Sequence, residues 1–175
     1  MPATGWRPAD EPLATLCVMT TIEDRLACTD LLANYASAAD HKDWARWRSL
    51  FGERVLWEFA GTADPDVALD ALMARLQVVF AGFTSTQHTV TSPLITVGGD
   101  RASIRAHVKA EHWVAPEVAG PGPNRWTLRG FYDDDAVRTP TGWQFTRVRL
   151  TATREEGAEV RELALQEGRR LAASS

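Results

Sequence analysis

The second half of the chain constrains the fold most, because it reads as four consecutive strands. Each strand has alternating or β-rich residues, and their bounds are 86–97, 101–115, 125–138 and 142–154. Turn-forming residues rich in Gly, Pro and Asn separate them, at 98–100, 120–124 and 139–142. This half of the chain therefore predicts a run of antiparallel strands.

The first half is mainly helical. Thr20 to Glu23 has the spacing of a capping box, and apolar residues then recur on one face of a helix that ends near Asp40. A second, short helix is expected over 44–51, and 54–59 reads as a strand. Pro65 predicts the start of a third helix, which closes at Gly82. Helices followed by strands indicate an α+β domain in which a curved sheet wraps around the helices.

A chain of 175 residues is long enough for one domain with a sizeable core. Residues 1–19 contain three prolines and read as a tail, 20–154 as the folded domain, and 155–175 as a charged helical extension that packs at the edge or frays. The acidic run at 133–135 is expected to be solvated near a hairpin end.

The composition argues against several classes of partner and location. A formal charge of -4 gives no reason to expect nucleic acid or an anionic membrane as a partner. The N-terminus has no basic segment followed by an apolar one, and no apolar run reaches membrane-spanning length. Cys17 and Cys28 suit a reducing compartment better than a disulfide framework. We therefore expect a cytoplasmic protein.

Asp40 is the first candidate for chemistry, since the helical pattern places its carboxylate against the core. A buried carboxylate needs a partner, and His88 and His112 lie in the strands that follow. Alternation between Ala102 and Val114 puts His112 on the apolar face and His107 on the polar one. The same test puts His88 inward, unless a bulge at Pro93 changes the parity. From these residues alone, Asp40 can also be a helix-end cap or a solvated charge.

Several short segments in order resemble one family. They are Ile22-Glu-Asp, Tyr35, Asp40-His-Lys-Asp-Trp44, Leu50-Phe51, Gln87-His88, Gly99 to Ala102, Ala106-His-Val, Glu111-His-Trp113 and Gly142-Trp143. Together they are similar to the SnoaL-like branch of the nuclear transport factor 2-like superfamily, over roughly residues 20–154. The resemblance implies a cone-shaped α+β barrel, in which a mixed, mostly antiparallel sheet closes around three helices. It also implies cofactor-free chemistry of proton abstraction and elimination, as in scytalone dehydratase, dehydrochlorinases, polyketide cyclases and steroid isomerases.

The resemblance assigns roles to individual residues. Asp40 and His88 match an aspartate–histidine dyad, and His112 matches a second pocket histidine. A tyrosine stands next to the aspartate in the dehydratase, where this chain has Ala39, and Tyr35 lies more than one helical turn earlier. The expected contacts to a flat or cyclic hydrophobic substrate are Tyr35, Trp57, Phe59, Phe83 and Trp113. Trp44 and Trp143 are expected to be packing residues.

Two function classes remain open at this stage. One is a lyase, isomerase or cyclase that uses no cofactor, and the other is a non-catalytic binding or structural subunit of the same fold. No metal is expected, although Asp40, His88 and His112 could form a two-histidine, one-carboxylate iron site. An outer sheet face that mixes Trp113, Trp143 and Phe145 with arginines predicts a homo-oligomer, with a dimer favoured.

Overall fold

The structure is a computed structural model that describes residues 21–59 and 61–174. The predicted tail and Cys17 lie outside the described residues. The elements, in chain order, are α1 (Ile22–Asp40), α2 (Trp44–Ser49), β1 (Phe51–Phe59), β2 (Thr62–Ala68), α3 (Leu69–Ala81), β3 (Ser85–Gly98), β4 (Arg101–Trp113), α4 (Pro116–Ala119), β5 (Arg125–Thr139), β6 (Gly142–Glu156) and α5 (Ala158–Ala172).

The two N-terminal helices begin at side-chain caps. The Thr21 side chain accepts a hydrogen bond from the backbone N–H of Asp24, and Asp43 caps α2 by accepting one from Arg46. Between these caps α1 runs for 19 residues and buries Cys28, Tyr35 and Ala38 along one side. Its last residue is Asp40, so α1 ends where the sequence predicts.

Six strands form one mixed sheet in the order β2-β1-β6-β5-β4-β3. The β1–β6 pair is parallel and the other neighbours are antiparallel. The sheet curves around the helices, with α1 against β3 and β6. The predicted α+β cone is therefore confirmed.

The prediction of a helix from Pro65 is wrong. Residues Thr62–Ala68 form an edge strand paired with β1, and α3 begins only at Leu69. The β1–β2 register shifts between Val55 and Trp57, beside Pro65 and Asp66. A proline can occupy a strand there, because its missing N–H falls at an edge and at an irregular point of the ladder.

A second irregularity lies at Pro93, where a bulge was anticipated. Ser92 has a φ of 54°, and the β3–β4 register shifts between Thr91 and Leu94. Because the shift comes after His88, the segment from Ser85 to Thr91 keeps one parity, and His88 pairs with Ala110 on β4.

The core corrects three sequence-based placements. Phe145 is fully buried and packs against Tyr35 and Phe51, while Trp143 is buried under the guanidinium of Arg138. Neither aromatic ring lies on an exposed outer face. Asp134 is buried rather than solvated, because alternation along β5 turns it inward between its neighbours Asp133 and Asp135.

Helix α5 is docked rather than frayed. It packs against α3 and buries Val160, Ala164 and Gly168. A Cβ built on Gly82 would lie 1.9 Å from the Ala164 carbonyl oxygen, and one on Gly168 would lie 2.0 Å from the Val78 oxygen. These two glycines allow the helix backbones to approach more closely than side chains would permit.

Candidate functional site

Three donors from β3 converge on the carboxylate at the end of α1. Asp40 Oδ1 accepts hydrogen bonds from His88 Nδ1 at 2.6 Å and from the Thr86 hydroxyl at 2.8 Å. Its Oδ2 accepts one from the backbone N–H of His88 at 2.8 Å. The side chains are 16% exposed for Asp40 and 9% exposed for His88. The structure therefore brings these two predicted residues into direct contact.

The hydrogen bonds determine the charge of this pair. Burial raises the pKa of Asp40, but the interactions with His88 and Thr86 outweigh it and leave the pKa below the ordinary value. The carboxylate is therefore ionised and holds the His88 proton on Nδ1. Because Nδ1 is bonded to Asp40, Nε2 is the ring nitrogen of His88 that is left for a group in the cavity, which His88 lines.

His112 is a neutral neighbour of His88. Their ring centroids are 5.4 Å apart, and His112 also stacks on Trp126 at 4.4 Å and contacts Phe83 at 4.9 Å. Burial, together with repulsion from His88, lowers the pKa of His112 to about 3. Its Nδ1 has no hydrogen-bond partner among the described residues. The two histidines thus differ in environment, since only His88 has a carboxylate partner.

Both histidines open onto a cavity of about 380 Å³. Four of the five predicted substrate contacts line it, namely Tyr35, Trp57, Phe59 and Phe83. Asp40 lies behind His88, and Ala39, the residue before Asp40 in the chain, forms part of the cavity wall. The volume falls at the lower end of the range that is typical of small-molecule sites.

Comparison with known proteins shows the family. A model of the SnoaL-like domain matches residues 20–149. The chain belongs to the SnoaL-like domain family. The matched segment includes Asp40, His88 and most of the cavity wall.

Among solved structures, this SnoaL-like protein is similar to a Kribbella flavida protein at 39% identity, with a TM-score of 0.77 and coverage of 80% of this chain and 97% of that one. It is similar to a proposed aromatic ring hydroxylase from Novosphingobium aromaticivorans at 28% identity, with a TM-score of 0.70 and coverage of 82% and 98%. A proposed scytalone dehydratase from the same organism is 22% identical, with a TM-score of 0.67 and coverage of 77% and 87%. At that identity the last comparison shows the shared fold.

One of the five predicted substrate contacts, Trp113, is wrong. Trp113 is not a cavity-lining residue, because it follows His112 and points to the opposite face of β4. Trp126, which pairs with His112 across β4 and β5, occupies the wall instead. Tyr132 and Leu128 share its face of β5, so alternation along that strand was a signal that could have identified them.

Two other parts of the wall were missed. Trp44 packs edge-on against Phe80, as expected of a packing residue, but it also lines the cavity. Helix α5 contributes Arg161 and Leu165, although it lies beyond the segment that the family model matches. The period of α5 could indicate a helix but not the surface on which it docks.

The charged residues that line the cavity are paired. Arg75 contacts Asp64 at 3.1 Å, Arg161 contacts Glu155 at 3.1 Å, and Glu58 pairs with Arg149. Glu155 also accepts a hydrogen bond from the Trp126 indole at 2.8 Å. These pairs involve partly exposed side chains, so they lie at the mouth and leave the interior mainly apolar and aromatic.

The described segments, 21–59 and 61–174, contain no group of three His, Cys, Asp or Glu side chains arranged to hold a metal ion. They also contain no helix with both the length and the apolar character needed to cross a membrane.

Proposed function

We propose that the protein is a cofactor-independent lyase, isomerase or cyclase that abstracts a proton from carbon with an Asp40–His88 dyad. The hydrogen bond between Asp40 Oδ1 and His88 Nδ1 carries this proposal. With Nδ1 held by Asp40, Nε2 is the nitrogen that would act as the base toward the mainly apolar cavity, which is the arrangement that general-base catalysis near neutral pH requires.

The first step transfers a proton from a carbon next to a carbonyl group to His88 Nε2. The resulting imidazolium is stabilised by the ionised Asp40, which keeps its hydrogen bond on the other ring nitrogen. The electron pair left by the proton moves onto the carbonyl oxygen. Neutral His112 supports this step by hydrogen-bonding that oxygen.

The second step returns the proton from His88. Delivery to a departing hydroxyl group eliminates water, and delivery to a different carbon isomerises the substrate. If the enolate carbon instead attacks a second carbonyl, the oxygen of that carbonyl takes the proton and the product is an aldol ring. A pKa of about 3 makes His112 a hydrogen-bonding group rather than a charged acid. His88 therefore serves first as base and then as acid.

The preferred substrate is small, hydrophobic and cyclic or polyketide-like. Aromatic rings from Trp57, Phe59 and Phe83 suit a flat ring, and the volume limits its size. A binding protein with the same cavity would need no ionised carboxylate buried behind a histidine. The desolvation of Asp40 is thus better explained by catalysis than by binding alone.

Proton exchange tests this proposal before the natural substrate is known. β-Tetralone is a cyclic ketone with acidic C–H groups, and its exchange in D₂O can be followed by proton NMR. We expect the wild-type protein to accelerate exchange and the His88→Ala and Asp40→Asn variants to lose about two to four powers of ten of that acceleration. The double variant should be little slower than either single one, because the two residues act as a unit.

His107→Ala is the matched control, because His107 lies on the opposite face of β4 and is exposed. It should keep the wild-type rate, and a chelator should have no effect. Equal rates for His88→Ala and the wild type would exclude the dyad. Binding of the ketone without any enhanced exchange would favour the alternative of a small-molecule-binding protein.

A further inference from the structure

Trp126 lies at the junction where the sheet passes into the last helix. Its indole lines the cavity, and the residue is 4% exposed. Glu155 on β6 pairs with Leu128, which is the next residue of β5 on the cavity side, so Glu155 and Trp126 are diagonal neighbours across the two strands. The glutamate is therefore close enough for its Oε1 to accept a hydrogen bond from the indole N–H at 2.8 Å.

The start of α5 folds back over the same indole. Gly157 makes the turn between β6 and α5 at a φ of 74°, and a Cβ built there would lie 2.3 Å from the Arg125 carbonyl oxygen. Only glycine permits this approach, which brings the first turn of the helix against β5. Arg161 then places its guanidinium carbon 5.9 Å from the centre of the Trp126 ring, and its Nη1 donates to Glu155 Oε1 at 3.1 Å. The indole and the guanidinium thus share one glutamate oxygen.

Arg161 fixes the Glu155 side chain and is itself anchored. Its Nε and Nη2 donate to Glu162 at 3.2 and 3.0 Å. The Glu155 side chain is 34% exposed, so it would have several rotamers open to it without the guanidinium. Both residues lie outside residues 20–149, the segment that the family model matches. This arrangement is therefore an addition to the matched domain.

His112 depends on the Trp126 ring for its orientation. The two rings stack with their centroids 4.4 Å apart and 29° between their planes. The Nδ1 of His112 has no hydrogen-bond partner among the described residues, whereas the Nδ1 of His88 is held by Asp40. Packing against aromatic rings, of which Trp126 is nearer than Phe83, therefore sets the direction of the His112 ring.

The indole would not keep its position without the glutamate. Its Nε1–H is a donor and the side chain has no other polar atom. Removal of the Glu155 oxygen would leave that donor buried without a partner, which costs more than the hydrogen bond itself contributes. The ring would turn toward another acceptor or admit water, and the surface on which His112 stacks would move with it.

We propose that Glu155 and Arg161 are positioning residues that act through Trp126 to hold His112 against the substrate oxygen. This inference rests on the proposed function and gives the β6–α5 junction a part in it. The hydrogen bond from the indole to Glu155 and the stack of the indole on His112 form one continuous path from α5 to the reacting oxygen.

Exchange of β-tetralone in D₂O separates this role from a purely structural one. Glu155→Leu should lower the rate at saturating ketone about tenfold, which is less than the 10²–10³ expected when such a donor is lost completely. Glu155→Gln keeps an oxygen for the indole N–H and should stay within about threefold of the wild type. In a His112→Phe background, Glu155→Leu should slow exchange further by less than about twofold, because its effect passes through His112. A full second loss in the double variant would mean that Glu155 acts on the fold, and would overturn the proposal.

Glu156→Gln is the matched control. Glu156 is the next carboxylate along β6, and it pairs with Arg129 and Arg154 instead of the indole. Its substitution should keep the wild-type rate. Arg161→Met keeps an unbranched stem without the guanidinium and should slow exchange in the same direction as Glu155→Leu, so it replaces that variant if Glu155→Leu does not fold.

Histidine NMR tests the positioning without any ketone. His112 lies so close to the indole that its ring protons carry the ring current of Trp126, and its signals among those of the four histidines are identified by their loss in His112→Phe. Glu155→Leu and Arg161→Met should shift the His112 signals and leave those of His107 unchanged. Unshifted His112 signals in both variants would overturn the proposal. Since no substrate is present, this result is independent of whether the wild type accelerates exchange, so a failure of the proposed function is told apart.

Discussion

The protonation of Asp134 can be measured as a pH dependence of stability. Burial raises the pKa of Asp134 in the native protein well above its ordinary value, whereas in the unfolded chain the group ionises above about pH 4. Between these two pKa values the native state binds one more proton than the unfolded state. By linkage, this makes the free energy of unfolding fall as pH rises, from the unfolded pKa up to the raised native pKa. Replacing the group with asparagine removes this dependence.

The expected slope is about 1.4 kcal/mol per pH unit for one proton. We therefore expect the free energy of unfolding of the wild type, minus that of Asp134→Asn, to decrease steadily from pH 4.5 upward until the native pKa is reached. Any hydrogen bond altered by the substitution adds a constant that does not change the slope. Urea unfolding followed by tryptophan fluorescence, at half-unit steps of pH, gives the required difference.

Asp133→Asn is the matched control, since it removes a carboxylate one residue away on the opposite face of β5. It should not reproduce the downward slope. A flat difference between the wild type and Asp134→Asn would mean that Asp134 is ionised in the native protein.

Two further predictions concern burial and packing, and a third comes from the sequence alone. His112 has a native pKa of about 3, so the free energy of unfolding of the wild type should fall by about 1.4 kcal/mol per pH unit as pH falls from 6.5. His112→Phe should remove this pH dependence, which has the opposite sign to that of Asp134, in the same urea unfolding series. An unchanged slope in the variant would contradict a neutral His112. Gly82→Ala should lower the free energy of unfolding by about 1–3 kcal/mol, because the added methyl group would overlap the Ala164 carbonyl oxygen. Gly52→Ala is the control and should change the free energy of unfolding far less, because a Cβ there meets nothing within 4 Å. Similar losses in the two variants would mean that α5 is not docked as described. The homodimer expected from the sequence stays a prediction, and a monomer mass by light scattering at high micromolar concentration would count against it.

The sequence predicted most of the fold because its strands have one buried face. On β4 the alternation of Ala102, Ile104, Ala106 and Val108 with polar residues fixes which side chains face the core. Strand β2 gave no such signal, since Thr62–Ala68 contains a proline and two aspartates and has only Val67 fully buried. Its conformation depends on pairing with β1, which is a tertiary contact that a local pattern does not contain.

The site was predictable where parity and family resemblance agree, as for His88 and His112 facing inward. The burial of Asp134 was not predictable, because a run of three aspartates reads as a solvated segment. Alternation through that run turns one of the three toward the core and two toward solvent. Trp113 and Trp126 show the same effect. Trp113 is next to His112 in sequence and therefore lies on the opposite face of β4, whereas Trp126 pairs with His112 across β4 and β5 and lies on the cavity side.

The position of Asp40 explains why both the helix and the strand are needed for the site. A carboxylate in the last turn of a helix meets the negative end of the helix dipole, and the last turn of α1 has no basic residue to offset it. Compensation comes from β3, which is an edge strand of the sheet. In an antiparallel pair only alternate residues bond to the neighbouring strand, so an edge strand leaves backbone N–H groups free on its outer side. The backbone N–H of His88 donates to Asp40, and the side chains of Thr86 and His88, two residues apart on one face, supply the other two donors. If β3 lay inside the sheet, that N–H would be used by another strand and the carboxylate would lose a donor that lowers its pKa. The sheet order is therefore part of what keeps Asp40 ionised behind His88.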